Sequence, residues 1–189
     1  PGHCLETGIF DEKHANIVAE RLFESDMFSG WGIRTLSAKT LMYNPMSYHN
    51  GSIWPHDNSI IAYGLSKINR IDLAAQITSA LFDAARLMKY KRLPELYCGF
   101  TRLYKRMDPP VSYPVACIPQ AWAAASVFLL LQSILNINPD AQKSELKLFN
   151  SVIPGWLDFL KIENIQVGSA SIDIEFRRSG KGLVIDVLD

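Results

Sequence analysis

Apolar positions recur at helical spacing through four stretches of the chain and at every second position through its tail. Over residues 11–25, Ala15, Val18, Leu22 and Ser25 fall on one side of a 3.6-residue repeat, with Phe23 beside them. Asp11 stands where an N-cap would accept from the first free N–H groups. A second helix is predicted over 56–68, beginning after Pro55, with Ile60, Ile61, Tyr63, Gly64, Leu65 and Ile68 as its apolar set. Asn69-Arg70 breaks it. A third follows over 71–90, its inner face made of Leu73, Ala74, Ile77, Leu81, Ala84, Ala85 and Met88. The fourth, over 120–135, is so apolar that it reads as buried nearly all round. Pro119 precedes it, where a first-turn proline is tolerated.

After Asn138-Pro139 the period changes. Leu146 and Leu148 alternate, and Ile162, Ile165 and Val167 follow. Ile172, Ile174 and Phe176 alternate strictly, as do Leu183, Ile185 and Val187. Ser179-Gly180-Lys181-Gly182 between the last two runs is a hairpin signal. The division expected is a helical domain over 1–140 and a β appendage over 141–189 packed on it. Two long stretches between the helices, 26–55 and 91–118, are rich in glycine, proline and aromatic residues. Loops of that length are uncommon inside a domain unless they carry function. Alternating with helices, they would emerge on one rim of a helical array, with a cleft at its mouth.

Composition narrows the possible partners. The 189 residues are 48% hydrophobic, and Lys+Arg and Asp+Glu both number 19, for a net charge of zero. Nucleic-acid and membrane-surface binding draw on surplus basic charge, which this chain lacks. No run approaches the roughly 18 apolar residues that mark a membrane span. Cys4, Cys98 and Cys117 are too few and too scattered for a disulfide framework, and no CxxC pair points to zinc. A reducing, cytoplasmic setting is expected. The opening Pro1-Gly2-His3, without a methionine, reads as the start of a fragment.

The loops hold the candidate chemistry. In the first and the helix start that follows it, Trp31, Tyr48, His49, Asn50, Trp54 and Asp57 set flat rings beside short polar groups. That combination suits a pyranose, which offers a C–H face for stacking and a rim of hydroxyls. The alternative is that Trp31 and Trp54 are core residues and Asn50 and Asn58 serve turns. In the second loop, Glu95 lies among apolar and aromatic neighbours, a setting that can shift a carboxylate and ready it as a general base. Its alternative is a surface glutamate paired with Arg92 or Arg102. His49 and His56, seven apart, with Asp57 as a third ligand, match no metal motif. Cys98 and Cys117 read as buried thiols. Ser52, in Asn-Gly-Ser-Ile, is no nucleophile elbow, and no glycine-rich phosphate loop occurs, so no metal or cofactor is expected.

Four blocks resemble one family in order and spacing. They are Phe28-Ser29-Gly30-Trp31-Gly32-Ile33-Arg34-Thr35-Leu36; the block over 43–58 around Tyr48-His49-Asn50-Gly51-Ser52-Ile53-Trp54-Pro55-His56-Asp57-Asn58; Leu93-Pro94-Glu95-Leu96-Tyr97-Cys98-Gly99-Phe100; and Tyr113-Pro114-Val115-Ala116-Cys117 with Pro119-Gln120-Ala121-Trp122-Ala123-Ala124. Together they resemble the amylo-α-1,6-glucosidase, or glycogen-debranching, glycoside hydrolases. The resemblance implies a mainly α fold, the C-terminal portion of an (α/α)6 toroid of the six-hairpin glycosidase kind, with a small β element. It implies hydrolysis of α-1,6-glucosidic branches of glycogen-like α-glucans by an inverting two-carboxylate mechanism. Glu95 takes the place of the general base, in the loop before the last barrel helix. The general acid would lie upstream of this chain, leaving the isolated fragment inactive. Trp31, Tyr48, Trp54 and Tyr97 would shape the substrate pocket, with His49, Asn50 and Asp57 binding substrate, Asp57 otherwise serving its helix start. The partners implied are a carbohydrate and the missing N-terminal part of the same polypeptide, with self-association through exposed helix faces. Two other functions fit the same residues: a toroid glycosidase for trehalose or a glucosyl- or mannosyl-glycerate, and a non-catalytic glucan-binding fragment.

Overall fold

A computed structural model describes residues 1–103, 108–180 and 182–188. A single helical turn, α1 (Cys4–Thr7), is followed by α2 (Glu12–Leu22). Asp11 caps α2 as expected, accepting from the backbone N–H of His14 at 2.8 Å. The helix stops short of Ser25. Phe23 leaves it to stack on Phe28, with ring centroids 5.1 Å apart.

The next helices follow the apolar periodicity closely. Pro55 is the first residue of α3 (Pro55–Lys67), where its missing N–H costs nothing. α4 (Ile71–Leu87) ends three residues before the predicted end, because Met88 turns extended and Tyr90 takes a positive φ of 60°. α5 (Ala121–Leu135) is capped by Gln120, whose side chain accepts from the N–H of Ala121 at 3.1 Å. Pro119 therefore lies ahead of the cap and not in the first turn.

α3 is central, packed against α1, α4 and α5. Its contact with α1 depends on Gly64, since a Cβ there would sit 2.7 Å from the backbone nitrogen of Glu6. Leu65, Ile77, Leu81, Leu130 and Ile134 are fully buried in the shared core. α5 buries one side only. Ala123, Ser126, Leu130, Ser133 and Ile134 face inward, while Trp122 is 46% and Phe128 75% exposed. Near-uniform apolarity had suggested burial all round; apolar content alone does not say how many neighbours a helix has.

The tail forms two antiparallel sheets. β1 (Ile137–Asp140) pairs with β2 (Glu145–Leu148), so the first strand begins directly after α5. β3 (Phe159–Val167), β4 (Ala170–Ser179) and β5 (Gly182–Leu188) run in that order across the second sheet, with Ile162 opposite Ile174 and Phe176 opposite Ile185. The hairpin predicted at 179–182 joins β4 and β5, with Ser179 opposite Gly182 and Gly180 at a φ of +56°. Lys181 lies outside the described residues. Ile174 and Phe176, fully buried, belong to the same core as the helices. Trp156 sits 5.7 Å from the Phe82 ring of α4, and the N–H of Val152 donates to the carbonyl of Ile134 at 2.8 Å.

The expected fold class is overturned. The chain is a small mixed α/β protein, with five helices and two antiparallel sheets among the described residues, 34% helical and 21% strand. It is not a mainly α portion of an (α/α)6 toroid. The period-two runs of the tail form strands, and the helices gather around α3. Among the described residues, no helix is long and apolar enough to cross a membrane.

Candidate functional site: a buried glutamate under an aromatic wall

The two long loops are held to each other by backbone hydrogen bonds. The N–H of Ile53 donates to the carbonyl of Tyr97 at 2.9 Å, and that of Tyr97 returns to Ile53 at 3.0 Å. Gly99 donates to Pro45 at 2.8 Å, while Cys98 donates to Val111 within the second loop at 2.9 Å. The approach is so close that a Cβ on Gly99 would fall 1.7 Å from the carbonyl oxygen of Gly51. Asn58, fully buried in the first turns of α3, ties the loop to the helix. Its amide donates to the carbonyls of Ile33 at 3.1 Å and Trp54 at 3.0 Å, and its oxygen accepts from the N–H of Ile33 at 2.7 Å.

This pairing places Glu95. The residue is only 6% exposed. Its Oε1 accepts from the Tyr48 hydroxyl at 2.6 Å, and its Oε2 from the backbone N–H of Cys117 at 3.2 Å. The Glu95 N–H in turn donates to the Cys117 carbonyl at 3.0 Å. The Tyr48 bond first, then the Cys117 N–H, hold the carboxyl below the usual glutamate range, outweighing the opposing push of burial. Gln120, the α5 cap, acts in the same direction. The hydrogen bond to Glu95, with burial, pushes the Tyr48 phenol up to about 12. At neutral pH, Glu95 is a carboxylate and Tyr48 a neutral donor. The alternative pairing with Arg92 or Arg102 does not form: Arg102 bonds Asp83 at 2.8 Å and lies 4.2 Å over the Trp31 ring.

Rings surround the carboxylate. Tyr48 meets Trp54 edge-on at 4.8 Å and His49 at 4.6 Å, and Tyr113 is tilted against it at 5.6 Å. The Trp54 indole is fixed by its N–H donating to the Ser52 hydroxyl at 2.9 Å. His56 meets Trp54 edge-on at 5.7 Å and stacks flat on Trp122 at 4.2 Å. Burial lowers the His56 pKa against the pull of Asp57, so the ring is uncharged at neutral pH.

Of the residues singled out from the sequence, Tyr48, His49 and Trp54 gather at Glu95. Trp31 and Tyr97 do not. Tyr97 is fully buried, its hydroxyl donating to the Trp31 carbonyl at 2.6 Å and its pKa raised by burial, and Trp31 is 5% exposed. Both are packed in the core, and the Trp54 ring, at 6% exposure, is almost as enclosed. Asn50 is a turn residue whose carbonyl accepts from the N–H of Asn44 at 2.8 Å. Asp57 lies between two imidazoles, 3.0 Å from Nε2 of His3 and 3.3 Å from Nε2 of His56. His49 and His56 flank the Trp54 ring without converging, and among the described residues no group of three or more His, Cys, Asp or Glu is gathered for a metal. Cys98 is buried, with its thiol pKa pushed up by burial, whereas Cys117 is exposed beside Glu95.

The sequence reading gave no site role to Tyr113, Cys117, Gln120 or Trp122, and weighed His56 only as a metal ligand. The signal for Trp122 was present. It lies in the first turn of a helix whose cap and preceding loop hold Glu95.

No protein-family model matches the chain. No curated protein matches it either. Among solved structures it is similar to an uncharacterized conserved protein from Thermus thermophilus, at 18% identity and a TM-score of 0.46. The match covers 66% of this chain, which spans only 28% of the length of that one. At that level of likeness neither fold nor function is transferred.

Proposed function

We propose that this chain carries the general base of a glycoside hydrolase acting on α-1,6-glucosidic branches of glycogen-like α-glucans, as its resemblance to the amylo-α-1,6-glucosidases implies. The single observation in support is Glu95, an ionised and nearly buried carboxylate held on both oxygens at the foot of an aromatic wall. In this reading Glu95 takes a proton from a water as that water attacks the anomeric carbon. The glycosidic oxygen leaves on the opposite face with a proton from a second carboxyl, about 6.5–9.5 Å away, and the configuration inverts. Asp57, set between His3 and His56, is given no part in this, and the acid comes from outside these 189 residues. Tyr48 and His49 bind the sugar, backed by the enclosed Trp54 ring. The setting is reducing and cytoplasmic, in keeping with the three free thiols.

α-Glucosyl fluoride tests the base alone, because fluoride departs without protonation. The chain is expected to release fluoride above the spontaneous rate, and Glu95→Gln to abolish the excess. An excess unchanged in that variant removes Glu95 from the mechanism.

A second reading is favoured by the engagement of both Glu95 oxygens, which leaves the carboxylate a weak base: a glucan-binding element without turnover. Binding of maltohexaose with no fluoride release would select it.

A further inference from the structure

Trp122 is a large apolar residue left 46% exposed in the first turn of α5. A singly exposed apolar ring is ordinary on a protein surface, and Trp122 is set apart by how it is held. Its orientation is fixed on one side. The ring lies flat on His56, 13° from parallel with centroids 4.2 Å apart, and meets Trp54 at 6.2 Å and 71°. A ring already immobilised pays little ordering cost when a ligand covers its remaining surface.

Its place relative to the carboxylate is set by the backbone. The N–H of Cys117 holds Glu95 Oε2, Gln120 caps α5, and Trp122 is two residues further on. Tyr48, Trp54 and Trp122 make a continuous aromatic path from Glu95 outward to solvent. We propose that Trp122 is a stacking platform for a second sugar unit of an α-glucan, next to the unit that Glu95 addresses. This inference rests on the glucan reading above. It assigns chain-length preference to a residue outside the Glu95 hydrogen-bond pair. The apolar C–H face of a pyranose matches the indole, and its hydroxyls project sideways into solvent.

The test is calorimetric titration of the 189-residue chain with maltohexaose. Trp122→Ala is expected to raise Kd about tenfold, and Trp122→Phe about two- to threefold, in line with the smaller ring. Phe128→Ala, which removes a 75% exposed ring further along the same helix, is expected to leave Kd unchanged. A chain that binds maltohexaose equally well with and without Trp122 overturns the platform and leaves the glucan reading standing. A chain that does not bind maltohexaose at all overturns both. Should the alanine variant fail to fold, the indole N–H resonance of Trp122, assigned by its loss in Trp122→Phe, decides the matter. It shifts on adding maltohexaose if the platform is real, and a resonance that stays in place while others move refutes it.

Discussion

The hydroxyl of Tyr48 donates a 2.6 Å hydrogen bond to Oε1 of Glu95 across 47 positions of sequence. The bond favours the charged form of the carboxyl, so its loss raises the Glu95 pKa toward the ordinary value of about 4.3. A base works only above its own pKa. Tyr48→Phe should therefore move the acid limb of fluoride release to higher pH, with the loss of rate greater at acid than at neutral pH. Carbon NMR titration of the Glu95 carboxyl reads the same shift directly. An acid limb that does not move would separate Tyr48 from the ionisation of Glu95.

Gly99 and Gly51 meet where the two loops join. With a Cβ on residue 99 only 1.7 Å from the Gly51 carbonyl oxygen, the backbone itself must shift. Gly99→Ala is expected to cost about 1–3 kcal/mol by overpacking and to abolish maltohexaose binding while the helical circular dichroism stays near that of the unaltered chain. Retained binding would show that the loops tolerate separation.

Asn58→Ala removes three hydrogen bonds at a fully buried position and leaves both backbone groups of Ile33 without that partner. Orphaning buried polar groups costs about 1–3 kcal/mol. Urea unfolding should show a lower midpoint of that size with an unchanged slope. A variant as stable as the original would mean that water replaces the amide fully.

The Asp26 carboxylate, 5% exposed as a residue, accepts from Arg21 at 2.7 and 3.2 Å and from the Ser37 hydroxyl. The Arg21 bonds first, then Ser37, hold its pKa well below the usual carboxylate range. A depressed folded pKa contributes stability that is complete above the unfolded value of about 3.9 and disappears as pH falls through the folded value. Asp26→Asn should lower the urea midpoint at neutral pH and weaken the dependence of that midpoint on acid. If the variant keeps the full acid dependence, Asp26 is not its source.

Exposed apolar residues on α5 and β5, among them Phe128 at 75% and Val187 at 59%, lead to an expectation of self-association. Light scattering on a size-exclusion column should show mass rising with concentration, and Phe128→Ser should reduce it. A constant monomer mass over that range would remove the proposal.

Apolar periodicity located α2 to α5 to within a few residues and the main strands of the tail, and residue type located the Asp11 cap and the turn at 179–182, because these follow from backbone geometry over a few neighbouring residues. It did not locate α1, whose four residues are too short to show a period. It overstated the helical architecture, since how elements assemble depends on contacts between distant segments. The same limit governed the site. Glu95, Tyr48 and Trp54 were recognisable as residue types suited to a sugar, yet Trp31 and Tyr97 looked equally suitable and pack against each other away from Glu95. A tryptophan that fills a core and one that waits for a ligand have the same side chain. Only the pairing of the two loops and the packing of α5 on α3 decided which rings were sealed inside, which carboxylate was held, and why Trp122 was left facing water.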